Sequence, residues 1–174
     1  VLVWIAALLY MRLAEPDHLP QVRVFAPSIR LLTVLAAVSL SIVLVTGTMT
    51  TGAGVHSGDS GVGMEGRLEV DIALMAYIHA ATMYVYLAAT LAVIWLLYRG
   101  MANKDAKNTA WILVLMIVIQ WVIGVIQFNM GIPRWTIPVH IGMSSTVVAF
   151  SAFLYAHGLR RLSPGQKNAT VTAE

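Results

Sequence analysis

Long apolar runs dominate the chain and alternate with short polar segments. Four of these runs are long enough to cross the roughly 30 Å apolar core of a bilayer as helices, and they cover residues 31–50, 72–98, 110–128 and 135–157. A fifth run, residues 1–13, would rise only about 20 Å as a helix. We therefore predict an all-α integral membrane fold, a four-helix transmembrane bundle preceded by the end of another transmembrane helix.

The same pattern predicts how the chain is organised. Residues 1–13 lack the basic start and the cleavage site of a signal peptide. We expect them to be the end of a truncated transmembrane helix, and the sequence to be the C-terminal piece of a longer protein. The remaining predicted units are a cytoplasmic loop at 14–30, a four-helix transmembrane half-domain at 31–161 and a disordered cytoplasmic tail at 162–174.

Composition narrows the class of protein. Hydrophobic residues make up 59% of the chain and charged residues only 11%, whereas an ordinary soluble domain has roughly 25% charged residues. This argues against a disordered chain and against a water-soluble enzyme. Cysteine is absent, which excludes disulfide scaffolds, cysteine-ligated metal sites and thiol nucleophiles. In such a protein the net charge of +3 reflects membrane topology, and we expect no nucleic-acid partner.

Basic residues are distributed unevenly over the polar segments. Segments 12–30, 99–108 and 158–174 hold nine of them, whereas the alternate loops 51–71 and 129–134 hold only two. Positively charged loops favour the cytoplasmic side of a membrane. We therefore expect a multi-pass protein in a lipid bilayer, with the 51–71 loop outside and the C-terminus in the cytoplasm.

The four long runs form two hairpins, 31–98 and 109–157, which look like a weak internal duplication. The returning helix of each hairpin carries one histidine near its outer end. At about 1.5 Å per residue, His79 lies about 12 Å and His140 about 9 Å below the outer boundary of the apolar zone. An ionisable side chain at such a depth is costly and is usually functional.

A pair of imidazoles at matching depth suits an iron porphyrin, which two histidines ligate from opposite faces and whose ring is mostly apolar. A packing role, in which each histidine forms hydrogen bonds across a helix interface, is the alternative. Zinc or copper is less favoured, because no Cys, Asp or Glu lies at this depth and two ligands are too few. Small residues that leave room for a ring follow both histidines, namely Ala80, Ala81, Gly142, Ser144 and Ser145.

Three further groups are candidate parts of a heme pocket, each with a structural alternative. Gln120, Gly124 and Gln127 share one face of the third span, where they could equally serve helix packing. Arg134 at the outer mouth is suited to pair with anionic heme propionates, or is a plain interfacial charge. His56, in a Gly-rich outer loop, could cover the cofactor, although an ordinary tight loop would look similar.

Several of these stretches are similar to a known family. The run TGTMTTGAGVHSGD at 46–59 and the later IHA at 78–80 resemble the second half of bacterial heme A synthase. The stretch QWVIGVIQ at 120–127, followed by an IP pair and a VH pair ending at His140, matches the following hairpin of that family. The resemblance extends over residues 1–161, and the Gly-rich loop with His56 and Asp59 is its most specific part.

The resemblance implies a parent protein of eight spanning helices in two pseudo-symmetric halves, of which this chain is the C-terminal half. It implies that His79 and His140 are the axial ligands of a heme b cofactor. The family oxidises the C8 methyl of heme O to a formyl group and so makes heme A for terminal oxidases. Heme O would bind in the N-terminal half, where the catalytic residues would lie, and heme O synthase and a terminal oxidase would be further partners in a bacterial cell membrane.

We therefore expect the chain to be the cofactor-heme-binding half of a heme A synthase-type oxidoreductase, which relays electrons to or from the substrate heme. Many relatives carry cysteines in their outer loops, and this chain resembles a cysteine-poor branch. One alternative is a non-catalytic cytochrome b-type electron-transfer subunit, although such bundles commonly place two histidines on the same helix. Another is a transporter or assembly subunit whose histidines serve packing.

Overall fold

A computed structural model describes residues 1–13, 21–54, 57 and 66–161 of the 174-residue chain. Helices α2 to α5 are each long and apolar enough to cross a membrane, and α1 is a shorter apolar helix. The predicted four-helix transmembrane bundle is thereby confirmed. The elements in chain order are α1 (Leu2–Leu13), β1 (Gln21–Arg23), α2 (Pro27–Ala53), α3 (Ile72–Arg99), α4 (Lys104–Asn129), α5 (Thr136–Ala156) and β2 (Leu159–Arg161).

Capping side chains explain where two of the helices begin. The Asp71 carboxylate accepts a backbone hydrogen bond at 2.7 Å before α3, and the Asn103 amide oxygen accepts one at 2.9 Å before α4. Helix α2 begins at Pro27, four residues before the predicted span, because proline is pre-organised for the first helical position. The segment 14–30, predicted as a loop, therefore ends in the first turn of α2 and also contains β1.

A short antiparallel ribbon departs from the all-helical expectation. Val22 in β1 lies opposite Arg160 in β2, and the backbone N–H of Val24 donates to the carbonyl of Gly158 at 2.9 Å. The ribbon joins the start of α2 to the end of α5. The predicted disordered tail, residues 162–174, lies outside the described part of the chain.

Helices α2 to α5 form a ring in which each helix packs on the next and α5 also packs on α2, so that α3 and α5 face each other across the bundle axis. Helix α1 lies outside the ring against α5, where the ring centroids of Trp4 and Tyr155 are 6.2 Å apart. Large apolar side chains cover the outside of the bundle, as lipid contact requires. Examples are Leu35, Val85, Leu115 and Ile141.

The bundle is packed unevenly along its length. Towards the β-ribbon the core is dense, and we call this the packed half. Towards the other end, α4 has no buried residue beyond Ile117, and α5 has none between Thr136 and Val147. We call this the open half. The largest fully buried side chains all lie in or at the edge of the packed half, and they are Tyr86, Leu97, Leu113, Val93 and Thr90.

Candidate functional site

Two histidines meet inside the open half. His79 lies in the second turn of α3 and His140 in the second turn of α5, and these two helices face each other across the axis. The centroids of the two imidazole rings are 6.4 Å apart, with their planes inclined at 67°. The sequence predicted that the two rings lie at matching depth. The structure adds that they are direct neighbours.

His79 is held by hydrogen bonds to α2. Its Nδ1 lies 3.0 Å from the carbonyl oxygen of Val43 and 3.2 Å from the hydroxyl of Thr46. Because a carbonyl can only accept, Nδ1 carries the hydrogen in this arrangement, and Nε2 keeps its lone pair. The Thr46 hydroxyl also lies 3.1 Å from that of Thr82, one turn after His79 on α3. The His79 ring is therefore fixed in tautomer and in direction.

His140 is held differently. Its Nδ1 is buried and has no hydrogen-bond partner. The neighbouring contact is to its backbone, because Gln120 Nε2 on α4 donates to the His140 carbonyl at 2.8 Å. The Oε1 atom of Gln120 is likewise buried without a partner. The helix that carries His140 is thus anchored at this point, while the ring itself is not.

A glycine on a neighbouring helix faces each histidine. A Cβ atom at Gly47 on α2 would lie 3.0 Å from His79 Cε1, and a Cβ at Gly124 on α4 would lie 3.2 Å from His140 Cε1. Each hairpin therefore places a glycine of its first helix against the histidine of its second. The absence of a side chain lets the backbone approach the ring more closely than any other residue would allow.

The faces that carry the histidines continue into the core below them. Met83 and Tyr86 follow His79 on α3, and Val147 follows His140 on α5, and all three are buried. Tyr86 shares a buried hydrogen bond with the Ser151 hydroxyl of α5, across the bundle axis. This bond closes the site on the side of the packed half.

The other residues predicted for the site are not brought to the histidine pair as a group. Gln120 reaches the backbone of His140, whereas Gln127 lies about 10 Å further along α4. Arg134 is exposed in the connection between α4 and α5. His56 lies outside the described residues, so its predicted role as a cover is not addressed.

Three contacts of the site were not found by sequence reasoning. The Val43 carbonyl is a backbone atom, so no residue type could have indicated it. Gly47 and Thr46 lie in the stretch singled out above, but nothing there marks them as facing His79 rather than lipid. The sequence does contain one indication of these contacts: the first helix of each hairpin has a glycine at about the depth of the histidine on the second helix.

The donor set of this site can be compared with the needs of a metal. Two metal–nitrogen bonds of about 2 Å, together with the half-widths of two imidazole rings, separate the ring centroids by about 6 Å. The observed 6.4 Å fits two histidines on opposite sides of one ion. Among the described residues, no group of three or more His, Asp or Glu side chains could hold a metal ion. A porphyrin iron, which needs only two ligands from the protein, suits this pair.

The surroundings of the pair also suit a porphyrin. Gly47 and Gly124 let the backbones of α2 and α4 come close to the two rings, and the buried Nδ1 of His140 has no hydrogen-bond partner among the described residues. Comparisons of the chain with protein-family models, with curated proteins and with solved structures give no match. The site therefore has to be interpreted from its own geometry.

Proposed function

We propose that this chain binds one heme b with His79 and His140 as axial ligands, and that it forms the cofactor-heme-binding half of a membrane heme A synthase. The observation that carries the heme proposal is the facing pair of imidazoles, 6.4 Å apart inside a transmembrane bundle. The similarity of residues 46–59 and 120–127 to that family supports the synthase assignment. We place the protein in a bacterial cell membrane, with the C-terminus in the cytoplasm because of the distribution of its basic residues.

A bound heme supplies one-electron redox chemistry, and the residues of the chain would hold and tune it. His79 presents Nε2 because its Nδ1–H is engaged by the Val43 carbonyl. Such an outer hydrogen bond makes an imidazole a better electron donor to its metal. Gly47 and Gly124 allow the neighbouring helices close to both rings.

The charge distribution supports a relay role for this half. Helices α2 to α5 contain a single acidic residue, Asp105, in the first turn of α4 at the far end from the histidines. Among the described residues, the helices thus offer two imidazoles but no carboxylate at the depth of the histidines. In the proposed synthase the C8 methyl of heme O would be oxidised in the other half, and His79 and His140 of this half would hold a heme that serves as an electron relay.

The visible spectrum of the purified chain, supplied with heme, tests the binding step. We expect the bands of a low-spin heme with two axial histidines, and their loss in both His79→Ala and His140→Ala. His157→Ala is the matched control, because His157 lies at the opposite end of α5 and contacts Thr109. Absence of a low-spin spectrum in the unaltered chain would exclude heme binding and, with it, both the synthase and the electron-transfer alternative.

Product analysis separates the synthase from a cytochrome b-type electron-transfer subunit. Cells that contain heme O are analysed for heme A in the presence of the parent protein and of this chain alone. The parent is expected to form heme A, whereas the chain alone is expected to bind heme without converting it. A parent that binds low-spin heme and forms no heme A would point to electron transfer, and heme A made by the chain alone would contradict the proposed division of labour.

A further inference from the structure

A groove of about 490 Å³ lies at the end of the packed half, far from the histidines. Its walls come from the segment before α2, from the first turns of α2 and from the end of α5 with the start of β2. Most of these walls are apolar, and the clearest polar feature is one charged side chain. The lining residues used below are Phe25, Arg30, Leu31, Val34 and Leu159.

Arg30 is the charged residue of this groove, and one of its donor atoms has no acceptor among the described residues. Its Nε is buried and has no hydrogen bond to any other group. A buried charged donor without an acceptor carries a substantial desolvation penalty. The described residues therefore leave the guanidinium of Arg30 with unmet hydrogen-bonding capacity.

The elements that form the groove offer no negative charge to Arg30. The sequence contains no aspartate or glutamate between residues 18 and 58 or between residues 106 and 173, and these stretches include all of α2 and α5. Helix α2 adds positive potential at this end, because Ala26 precedes it without a side-chain cap. Among the described residues, no acidic group of these walls balances Arg30, so its charge is available to an external anion.

The shape of the groove indicates which anion this is. Leu31 and Val34 line it and are 62% and 43% exposed, so one wall runs directly into the apolar outer face of α2. Phe25 and Leu159 make the opposite side apolar as well. A soluble anion such as inorganic phosphate would gain nothing from these surfaces. A phospholipid would gain from both parts, since its phosphate meets the guanidinium and its acyl chain follows the apolar wall.

We propose that this groove binds one anionic phospholipid, with its phosphate on Arg30 and an acyl chain along Leu31 and Val34. The site is separate from the histidine pair and does not depend on heme binding. An anionic headgroup is preferred to a zwitterionic one, because the walls around Arg30 carry no acidic group to balance a choline.

Native mass spectrometry of the delipidated chain tests the proposal, with phosphatidylglycerol or phosphatidylcholine added in equal amounts. We expect the chain to retain one phosphatidylglycerol in preference to phosphatidylcholine. Arg30→Gln is expected to weaken retention about fivefold, the equivalent of about 1 kcal/mol per basic residue near a lipid surface. Arg30→Lys keeps the charge and should keep the preference.

Arg99→Gln is the matched control. Arg99 is an arginine at the same end of the bundle, but its guanidinium lies over the Trp95 ring, 4.7 Å from the centroid, outside the groove. Its removal should leave lipid retention unchanged. Equal retention of the two lipids, unchanged retention in Arg30→Gln, or displacement of the lipid by inorganic phosphate would each overturn the proposal. The thermal unfolding temperature of each variant in detergent shows that a loss of lipid does not reflect misfolding.

Discussion

His79 and His140 occupy corresponding places in the two hairpins, but their rings are held in different ways. The His79 ring has two oxygen atoms of α2 within hydrogen-bond distance of Nδ1. The Nδ1 atom of His140 has no such partner among the described residues, and Gln120 binds the backbone carbonyl of His140 instead. A repeated pattern in the sequence has therefore produced two histidines whose rings have different hydrogen-bond surroundings.

This difference matters for how a ligand could be bound between the rings. A ring fixed in advance costs little ordering entropy on binding and sets the position of what it binds. A ring without such hydrogen bonds is held in orientation by packing alone. We therefore expect His79 to act as the fixed ligand and His140 as the adjustable one.

The largest expected effect comes from removing one ring at a time. Loss of the fixed ring in His79→Ala should weaken heme binding more than about 100-fold, because even outer-shell partners of metal ligands contribute about 10–100-fold. His140→Ala should cost only about tenfold and leave a high-spin heme that binds carbon monoxide. Titration of the purified variants with heme, followed by spectroscopy, measures both. Equal losses in the two variants would remove the proposed difference between the rings.

A methyl group added opposite each ring tests the same difference through stability. Gly47→Ala puts a Cβ 3.0 Å from the fixed His79 ring, so it should destabilise the protein by about 1–3 kcal/mol. Gly124→Ala meets the adjustable His140 ring at 3.2 Å, and the ring can move aside, so we expect a change within about 1 kcal/mol. Thermal unfolding in detergent is the measurement.

Gly142→Ala serves as the control for these two variants. Gly142 lies in α5 with nothing within 4 Å of the added Cβ, so the change should stabilise the helix by up to about 1 kcal/mol. If Gly124→Ala proved as harmful as Gly47→Ala, the His140 ring would have to be as rigid as the His79 ring.

The smallest expected effects concern the polar neighbours. Thr46→Val removes the hydroxyl beside His79 Nδ1 and its contact with Thr82, while the Val43 carbonyl remains, so a loss of about 1 kcal/mol is expected. Gln120→Leu removes one hydrogen bond and also one buried oxygen without a partner, and these effects should nearly cancel. Chemical denaturation of both variants compares them. A larger loss in Gln120→Leu would mean that its Oε1 has a partner in the membrane.

The sequence was sufficient for the spanning helices, because bilayer thickness alone determines their length and apolar character. It did not predict the ribbon between Val22 and Arg160, since two three-residue strands leave no periodicity to detect. Trp121 lies in the middle of a span rather than at the membrane interface, so its position in the sequence suggests no partner for its indole N–H. The structure shows that it donates to the Tyr84 hydroxyl at 3.0 Å on an exposed face of the α3–α4 pair.

For the candidate site, the sequence predicted the depth of each histidine along its own helix but not which side chains of other helices lie beside it. Counting residues placed His79 and His140 at similar depth, but whether two rings touch depends on which helices lie diagonally in the bundle. Because α5 packs on α2 as well as on α4, α3 and α5 lie diagonally opposite each other. This arrangement is a property of tertiary packing. For the same reason the partners of His79 remained hidden, because they belong to a helix 36 residues earlier in the chain.

The two rings belong to different hairpins, and this has a consequence for assembly. The hairpins can dock through the packed half first, where Tyr86 and Ser151 already join α3 to α5. The open half is then the part where the two hairpins separate most easily. A ligand that contacts both rings would hold α3 and α5 together there. If the proposed heme binds between the two rings, its binding and the association of the hairpins at this end are linked, so heme would stabilise the folded bundle against unfolding.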